Sequence, residues 1–468
     1  MSRVTPEIWE QTGVDLAEGR LTLAALWGER ACVHMAVMAP EAASTDPLRI
    51  LTLPCADGHY PSISRHHAPA IRLERAAADL FGLIPDGLPD PRPWLDHAAP
   101  YQFLPVEGTH LHVVPVGPVH AGIIEPGHFH FTVDGETVVR LEARLGYAHK
   151  GVEALFAGAD LAQGAKLAGR TSGDSTVAYA LAFAQGVEMA LGTTAPPRAH
   201  WLRALMAEWE RIANHLGDVG AICNDAGFSI MLAHCSALRE MMLRAADTAF
   251  GHRLMMDGII PGGVARDIDQ AALTRLLACA RDVQKRFRPL VALYDKTASL
   301  LDRTIGTGIL TPDLAARFGA GGFVGRASGR AFDARRARPY PPYDALSFEV
   351  PVLTQGDVHS RLWLRVQEIE QSLLMIEEIA ARLPGGPIGM ALPQAEDGAE
   401  GFALVEGFRG DVFLWLRVGA EGRIARCHAR DPSWFQWPLL EAAIQGNILA
   451  DFPLCNKSFN CSYSGVDL

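Results

Sequence analysis

Residues 169–180 read GRTSGDSTVAYA. Ser172, Asp174 and Ser175 stand directly ahead of a long apolar run. Their side-chain oxygens suit the free N–H groups of a helix's first turn, so the local reading is a helix start. The same small polar groups in a row would also suit a catalytic loop. Local chemistry alone does not separate the two, and the flanking sequence has to.

On the N-terminal side, LHVVPVG and HFHFTVDGETVVRLEARL read as strands around the turn Asp134-Gly135. On the C-terminal side, 198–222 places Leu202, Leu205, Met206, Trp209, Ile212, Ala213 and Leu216 at helical spacing, which predicts one buried face. Similar patterns fill 234–256, 268–302 and 358–383. Residues 411–431 read as a β-hairpin turning near Gly419–Gly422. Ahead of all this, residues 1–83 read as a small α+β unit, with strands at 31–39 and 48–54 and a helix at 70–83. Residues 84–94, IPDGLPDPRPW, crowd four prolines and a glycine into a linker or extended arm. The expectation is an α+β chain divided into 1–83, a Pro-rich linker at 84–107, and a mainly helical unit with small peripheral sheets at 108–468.

Composition narrows the function classes. The net charge is −11, which argues against a general phosphate-binding surface and against nucleic acid as partner. Charged residues are 20% and apolar residues 49%, a balance that fits extensive interfaces. The opening MSRVTPEIWEQTG has no apolar signal core, and no run of about 18 apolar residues offers a membrane span. The expected location is therefore cytoplasmic, with membrane attachment through partners. The eight cysteines are scattered and form no C-x-x-C pair; they read as buried small hydrophobes. Phosphate-loop and nucleophile-elbow spacings are absent.

Three polar clusters interrupt apolar surroundings: the opening stretch, the tail DFPLCNKSFNCSYSGVDL (451–468), and GPVHAGIIEPGHFHF (117–131), which carries His120, Glu125, His128 and His130. Each has a plain alternative. His128 and His130 alternate as solvent-facing strand residues would, Asp225 could cap the next helix, and the glycines of GFVGRASG (322–329) could form a simple turn.

The spacing Arg170-x-Ser172-Gly173-x-Ser175-x-x-x-Tyr179 resembles R-x-C-G-x-C-x-x-x-H, the first metal motif of nickel–iron hydrogenase large subunits, with both cysteines and the histidine replaced. GYAHKGVEALF (146–156), ERIANHLGDVGAICNDAG (210–227), PGGV (261–264), GRASGRAFDARRARPYPPYD (325–344), GDVHSRLWLRVQEIEQS (356–372) and RGDV (409–412) resemble the complex I-related, energy-converting (group 4) members. The same segments resemble the quinone-site D-type subunit of complex I. YPSISRHHAPAIRLERAAADLFGL (60–83) resembles the C-type subunit, so the chain looks like a C-type and D-type fusion.

The resemblance implies a large subunit of a membrane-bound, ion-translocating complex, related to formate hydrogenlyase. It would sit peripherally on the cytoplasmic side of the inner membrane. Its implied partners are a B-type iron–sulfur subunit, an I-type ferredoxin-like subunit, and H-type and antiporter-like membrane subunits. Iron–sulfur clusters would lie in those partners and no cofactor in this chain, with a quinone as an acceptor. Nickel needs four thiolates. Here Ser172 and Ser175 replace the first pair, and NKSFNC, read against D-P-C-x-x-C, leaves Ser458 and Cys461 as the second. That set does not hold a nickel–iron centre. In the quinone-site frame, the head-group tyrosine falls on Gly173, while His120 and Asp225 match a histidine and its aspartate. Glu125 falls where hydrogenases keep a proton-relaying glutamate. The expectation is that Glu125, His120, His128, Asp174 and Asp225 line one metal-free cavity and move protons, with Glu125 buried near Asp225. A non-catalytic scaffold and a hydrogenase with unusual ligands stay open beside this redox reading.

Overall fold

The computed structural model describes residues 1–39, 48–98, 100–120 and 124–468. Residues 121–123 of the histidine-rich stretch lie outside them.

The N-terminal unit holds β1 (Ser2–Arg3), α1 (Pro6–Ala17), β2 (Thr22–Glu29), β3 (Cys32–Met38), β4 (Arg49–Pro54) and, after a short connection, α2 (Ile71–Phe81). Its sheet runs β1-β4-β3-β2. Period-2 alternation divides β3 cleanly. Val33, Met35 and Val37 join the apolar cluster that holds Trp9 and Leu16 of α1 and Leu73 of α2. Ala36 and Met38 join Phe413 and Trp415 on the other face. Both faces of the sheet are thus buried, the second by the C-terminal half of the chain. The sequence reading found β3, β4 and α2 but passed over α1 and β2.

Two short strands, β5 (His59–Pro61) and β6 (Ile84–Asp86), pair in parallel at the start of the proline-rich stretch. That stretch is packed rather than free. Trp94 is buried and its indole N–H donates to the Val466 carbonyl at 3.3 Å. Arg75 Nη1 donates to Asp90 at 3.1 Å, and Arg144 Nη1 to the Pro93 carbonyl at 2.8 Å. A three-stranded sheet follows, β7 (Leu111–Val116), β8 (His128–Asp134) and β9 (Thr137–Arg144), with the hairpin at the expected Asp134-Gly135.

The helical unit begins with α3 (Val152–Phe156) and α4 (Leu161–Ala168), then α5 (Thr176–Ala190), α6 (Pro197–Asp225) and α7 (Ser229–Phe250). A two-residue hairpin, β10 (Ile259–Ile260) with β11 (Gly263–Val264), precedes α8 (Gln270–Lys296). Four short helices, α9 (Ala298–Thr304), α10 (Pro312–Arg317), α11 (Gly322–Arg326) and α12 (Ala334–Ala337), lead to α13 (Val358–Arg382). Pro197 opens α6 at a position where its missing N–H costs nothing. All seven residues of the predicted stripe on α6 are buried. Gly251, at φ 84°, ends α7 short of the expected 256. The expected helix 268–302 breaks at Thr297, whose backbone is extended. Asp225 is the last residue of α6, and Phe228 rather than Asp225 precedes α7, so the capping alternative for Asp225 fails.

Helix α5 has no polar face: Val177, Tyr179, Leu181, Phe183 and Val187 are all at most 3% exposed. Burying each large apolar chain contributes about 1.5–3 kcal/mol. The helix packs on the last sheet, β12 (Glu400–Gly407), β13 (Gly410–Val418) and β14 (Ile424–Arg430). The chain ends in α14 (Ser433–Ala443), α15 (Phe452–Phe459) and α16 (Ser464–Asp467). The sequence reading anticipated β13 and β14 and missed β12.

Candidate functional site

The opening stretch is a helix start, as expected, but its own side chains do not cap the helix. A turn at 173–175 leads into α5, and Ser175 makes no capping bond. The capping acceptor comes from α6. Glu210 takes the N–H of Val177 at 2.7 Å and that of Ala178 at 3.3 Å. Burial pushes this carboxyl up to about 8, and the neighbouring Asp174 charge adds to the rise.

The Ser and Asp side chains face the C-terminal tail instead. Asp174 is gripped by Arg409, whose Nη1 and Nη2 donate to its two oxygens at 2.6 and 2.5 Å. Arg409 also donates to the Ser175 hydroxyl at 3.1 Å and, through Nε, to the Asn460 carbonyl at 2.5 Å. Burial alone would raise the Asp174 carboxyl, but the guanidinium outweighs it and holds the group below the usual carboxylate range. Gly410 makes this placement of Arg409 feasible: at φ +133°, a Cβ there would come 2.7 Å from the Gly322 nitrogen, where no side chain fits.

Ser172 meets the tail at Ser462, not at Ser458 or Cys461. The two hydroxyl oxygens lie 2.9 Å apart, and Ser172 also donates to Asp174 at 3.1 Å. Ser462 accepts the Gly465 N–H at 3.0 Å. Ser458 lies elsewhere, accepting from Arg361 Nε at 2.9 Å and donating to the Cys455 carbonyl at 2.6 Å. Cys461 is buried, and burial drives its thiol far above the ordinary range. Tyr179, at the position of the motif histidine, donates to Asp431 at 2.7 Å. That carboxylate stands where a side chain on Gly465 would go, since a Cβ there would come within 2.7 Å of it.

Glu125 is exposed rather than buried, and its carboxylate accepts the Ser464 N–H at 3.0 Å. His120 is half-buried; Nδ1 lies 3.3 Å from the Pro118 carbonyl and Nε2 is buried without a partner. His128 is half-buried against Phe103, with ring centroids 5.1 Å apart, and burial lowers its pKa. Asp225 is half-buried and its carboxyl is raised by burial. Among the described residues no hydrogen bond joins any two of Glu125, His120, His128, Asp174 and Asp225. Direct hydrogen bonds therefore do not connect the proton-relaying set expected from sequence. Asp174, ion-paired, is held in its charged form and is a poor proton carrier.

Three functional-looking residues escaped the sequence reading. Glu210 and Asp218 sit on the buried side of α6, and Asp218 is bound by Arg365 at 3.1 Å and Asn460 at 3.0 Å. Arg409 lies in the RGDV stretch, which was noted without its role being recognised.

Residues 225–397 match the family described as respiratory-chain NADH dehydrogenase, 49 Kd subunit, and residues 7–108 match the corresponding 30 Kd subunit. Formate hydrogenlyase subunit 5 of Escherichia coli (strain K12) is 32% identical, over 87% of this chain and 77% of that protein. The carbon monoxide-induced hydrogenase of Rhodospirillum rubrum is 30% identical, over 75% of this chain and 97% of that protein. The D-type subunit of the NADH-quinone oxidoreductase of Syntrophobacter fumaroxidans is 33% identical, over 75% and 95% respectively. The chain belongs to the family of complex I-related hydrogenase large subunits and D-type subunits, with a C-type domain fused ahead of the D-type one.

Proposed function

We propose that this chain is the large subunit of a membrane-bound, hydrogenase-related oxidoreductase complex and couples electron transfer in its partners to ion translocation, without nickel chemistry of its own. The observation that carries this reading is the Ser172–Ser462 contact at 2.9 Å beside the Arg409–Asp174 ion pair. On this reading the tail motif D-P-C-x-x-C falls on Asn460-Cys461-Ser462-Tyr463-Ser464-Gly465, four residues beyond the frame that sequence favoured. In this register the four ligand positions are Ser172, Ser175, Ser462 and Gly465. Three offer hydroxyls and the fourth offers no side chain. Soft thiolate chemistry has no donor among them, so the residues do not fit a nickel–iron centre. A guanidinium–carboxylate pair takes up the polar space instead.

The implied partners are a B-type iron–sulfur subunit beside this loop, a ferredoxin-like subunit, and H-type and antiporter-like membrane subunits. Peripheral attachment agrees with the finding that no helix among the described residues is long and apolar enough to cross a membrane. The test is metal analysis and hydrogen-dependent dye reduction on the complex purified in mild detergent. The expected result is iron from the partners' clusters, no nickel, and no hydrogen-dependent reduction. Stoichiometric nickel with hydrogen-driven activity would overturn the proposal.

One observation favours a second reading, in which the subunit also reduces a quinone. His120 Nε2 is buried and unpartnered among the described residues, a donor or acceptor that a quinone oxygen would satisfy. Electrons supplied from a low-potential dye would then reach a short-chain quinone. His120→Ala should slow that turnover sharply, and Glu125→Gln should slow it if Glu125 delivers protons. An intact complex with reducible clusters and no quinone turnover favours the purely coupling role.

A further inference from the structure

The hairpin joining β2 to β3 carries Glu29, Cys32 and His34, whose ligand atoms converge. Cys32 Sγ lies 3.4 Å from His34 Nε2 and 3.7 Å from Glu29 Oε2, and His34 Nε2 lies 3.6 Å from Glu29 Oε2. Metal–ligand bonds of about 2.3 Å to sulfur and about 2.0–2.1 Å to nitrogen and oxygen, arranged tetrahedrally, give ligand–ligand edges of roughly 3.3–3.6 Å. The observed triangle has nearly those edges. Three bonded positions and one open corner would complete the arrangement. The Cys32 side is partly exposed and gives access, whereas His34 is 1% exposed.

The surroundings orient these groups as outer-shell partners orient metal ligands. Thr52 Oγ1 donates to Met1 Sδ at 3.5 Å, which leaves it to accept from His34 Nδ1 at 2.9 Å. The Nε2 lone pair then faces Cys32 and Glu29. Trp27 stacks on the imidazole at 5.1 Å, and Trp415 tilts against it at 5.5 Å, fixing the ring plane. Arg417 reaches both Glu29 oxygens, at 2.8 and 2.9 Å, so it can keep Oε1 while Oε2 turns to a cation. Glu400, 3.7 Å from Arg417, supplies a second anion for that guanidinium.

We propose that Glu29, Cys32 and His34 form a site for a zinc-class divalent cation, held in the N-terminal sheet where it packs on β13. One thiolate, one imidazole and one carboxylate favour a borderline cation such as zinc over magnesium or calcium. The site lies on the C-type unit, apart from the Ser172–Ser462 contact, and its role is to fasten the hairpin against Trp415 and Arg417.

The test uses the full chain, stripped by chelator and titrated with cobalt(II). One cobalt per chain is expected, with a thiolate-to-cobalt charge-transfer band and intense visible absorption of a tetrahedral site. Zinc should displace it. Cys32→Ser should abolish the charge-transfer band and weaken zinc binding by more than the roughly 10–100-fold that losing an outer-shell partner costs, while Cys279→Ser on α8 should change neither. If Cys32→Ser fails to fold by circular dichroism, His34→Gln takes its place, with loss of the same absorption expected. A hydrogen-bonded triad without affinity for metal would show no charge-transfer band, and that result, or a band that survives Cys32→Ser, would overturn the proposal.

Discussion

Two buried polar regions lie along α6, and they are built differently. Deep in the bundle, Arg211, Arg326 and Arg335 face Glu208, Asp333, Glu368 and Glu406. Arg326 reaches Glu368 at 2.7 Å and Glu406 at 2.8 Å. Arg335 reaches Glu208 at 2.8 Å and Asp333 at 2.7 Å. His215 Nε2 adds a contact to Glu368 at 2.8 Å. Nearly every charge there has a partner, and the cluster ties α6, α11, α12, α13 and β12 together. The loop–tail region has fewer, more selective bonds: one guanidinium on Asp174, hydroxyls in contact, and Glu210 buried with backbone donors only. A compensated network fixes a fold. An acid without a cationic partner is where protonation can still change. The largest stability effects should therefore fall in the first region, while the acid held furthest above its ordinary value lies in the second, Glu210 at about 8 against Glu406 at about 7 in the bundle.

The largest effect belongs to Arg326→Met. It removes the cation shared by Glu368 and Glu406 and leaves buried carboxylates short of a partner, which costs about 3–5 kcal/mol. The unfolding free energy from denaturant titration should drop accordingly, and a drop under about 1 kcal/mol would break the comparison. Arg409→Gln comes next. Asp174 is 37% exposed, so water screens part of the loss and the cost should be about 1–2 kcal/mol. Its pH signature has a definite sign. The depressed Asp174 carboxyl contributes stability that is present above its ordinary value of 3.8 and is lost as pH falls through the folded value. The wild type should lose stability to acid in that window, and Arg409→Gln should lose less. Parallel acid curves would show that the pair contributes nothing there.

Legibility in the sequence followed periodicity. The stripe on α6 repeats at every turn, and all of it is buried. Strand β12, EGFALVEG, hides its alternation behind glycines and glutamates, and α1 carries only Trp9, Thr12, Gly13 and Leu16 inward. At the site, serines in place of the two motif cysteines could be read directly at Ser172 and Ser175. The tail could not be placed so directly. The surviving Cys461 invited an alignment that put it on a ligand position, yet it sits as a small buried group beside the contact that Ser462 makes. Glu210 was hidden for another reason. A charged residue on a long helix ordinarily reads as solvent-facing, and only the fold shows that it receives the first N–H groups of α5.

At acid pH Glu210→Gln gives the smallest effect, and across the pH range it gives the sharpest one. At pH 4 the wild-type acid is mostly protonated in both states. The amide then loses one of the two accepting oxygens facing Val177 and Ala178, for a cost of about 1 kcal/mol. As pH rises past the ordinary value of 4.5 the unfolded chain releases its proton, while the folded chain holds it to about 8. Across that window the folded state binds more protons, so wild-type stability falls by up to about 1.4 kcal/mol per pH unit, and it levels off above the folded value. Gln has no proton to hold and stays flat. The two curves should therefore cross, with the variant the more stable protein on the alkaline side. Curves that run parallel from pH 4 to 9 would mean that Glu210 titrates in the folded protein as it does in the unfolded chain. The loop–tail region would then lack the acid that burial keeps protonated.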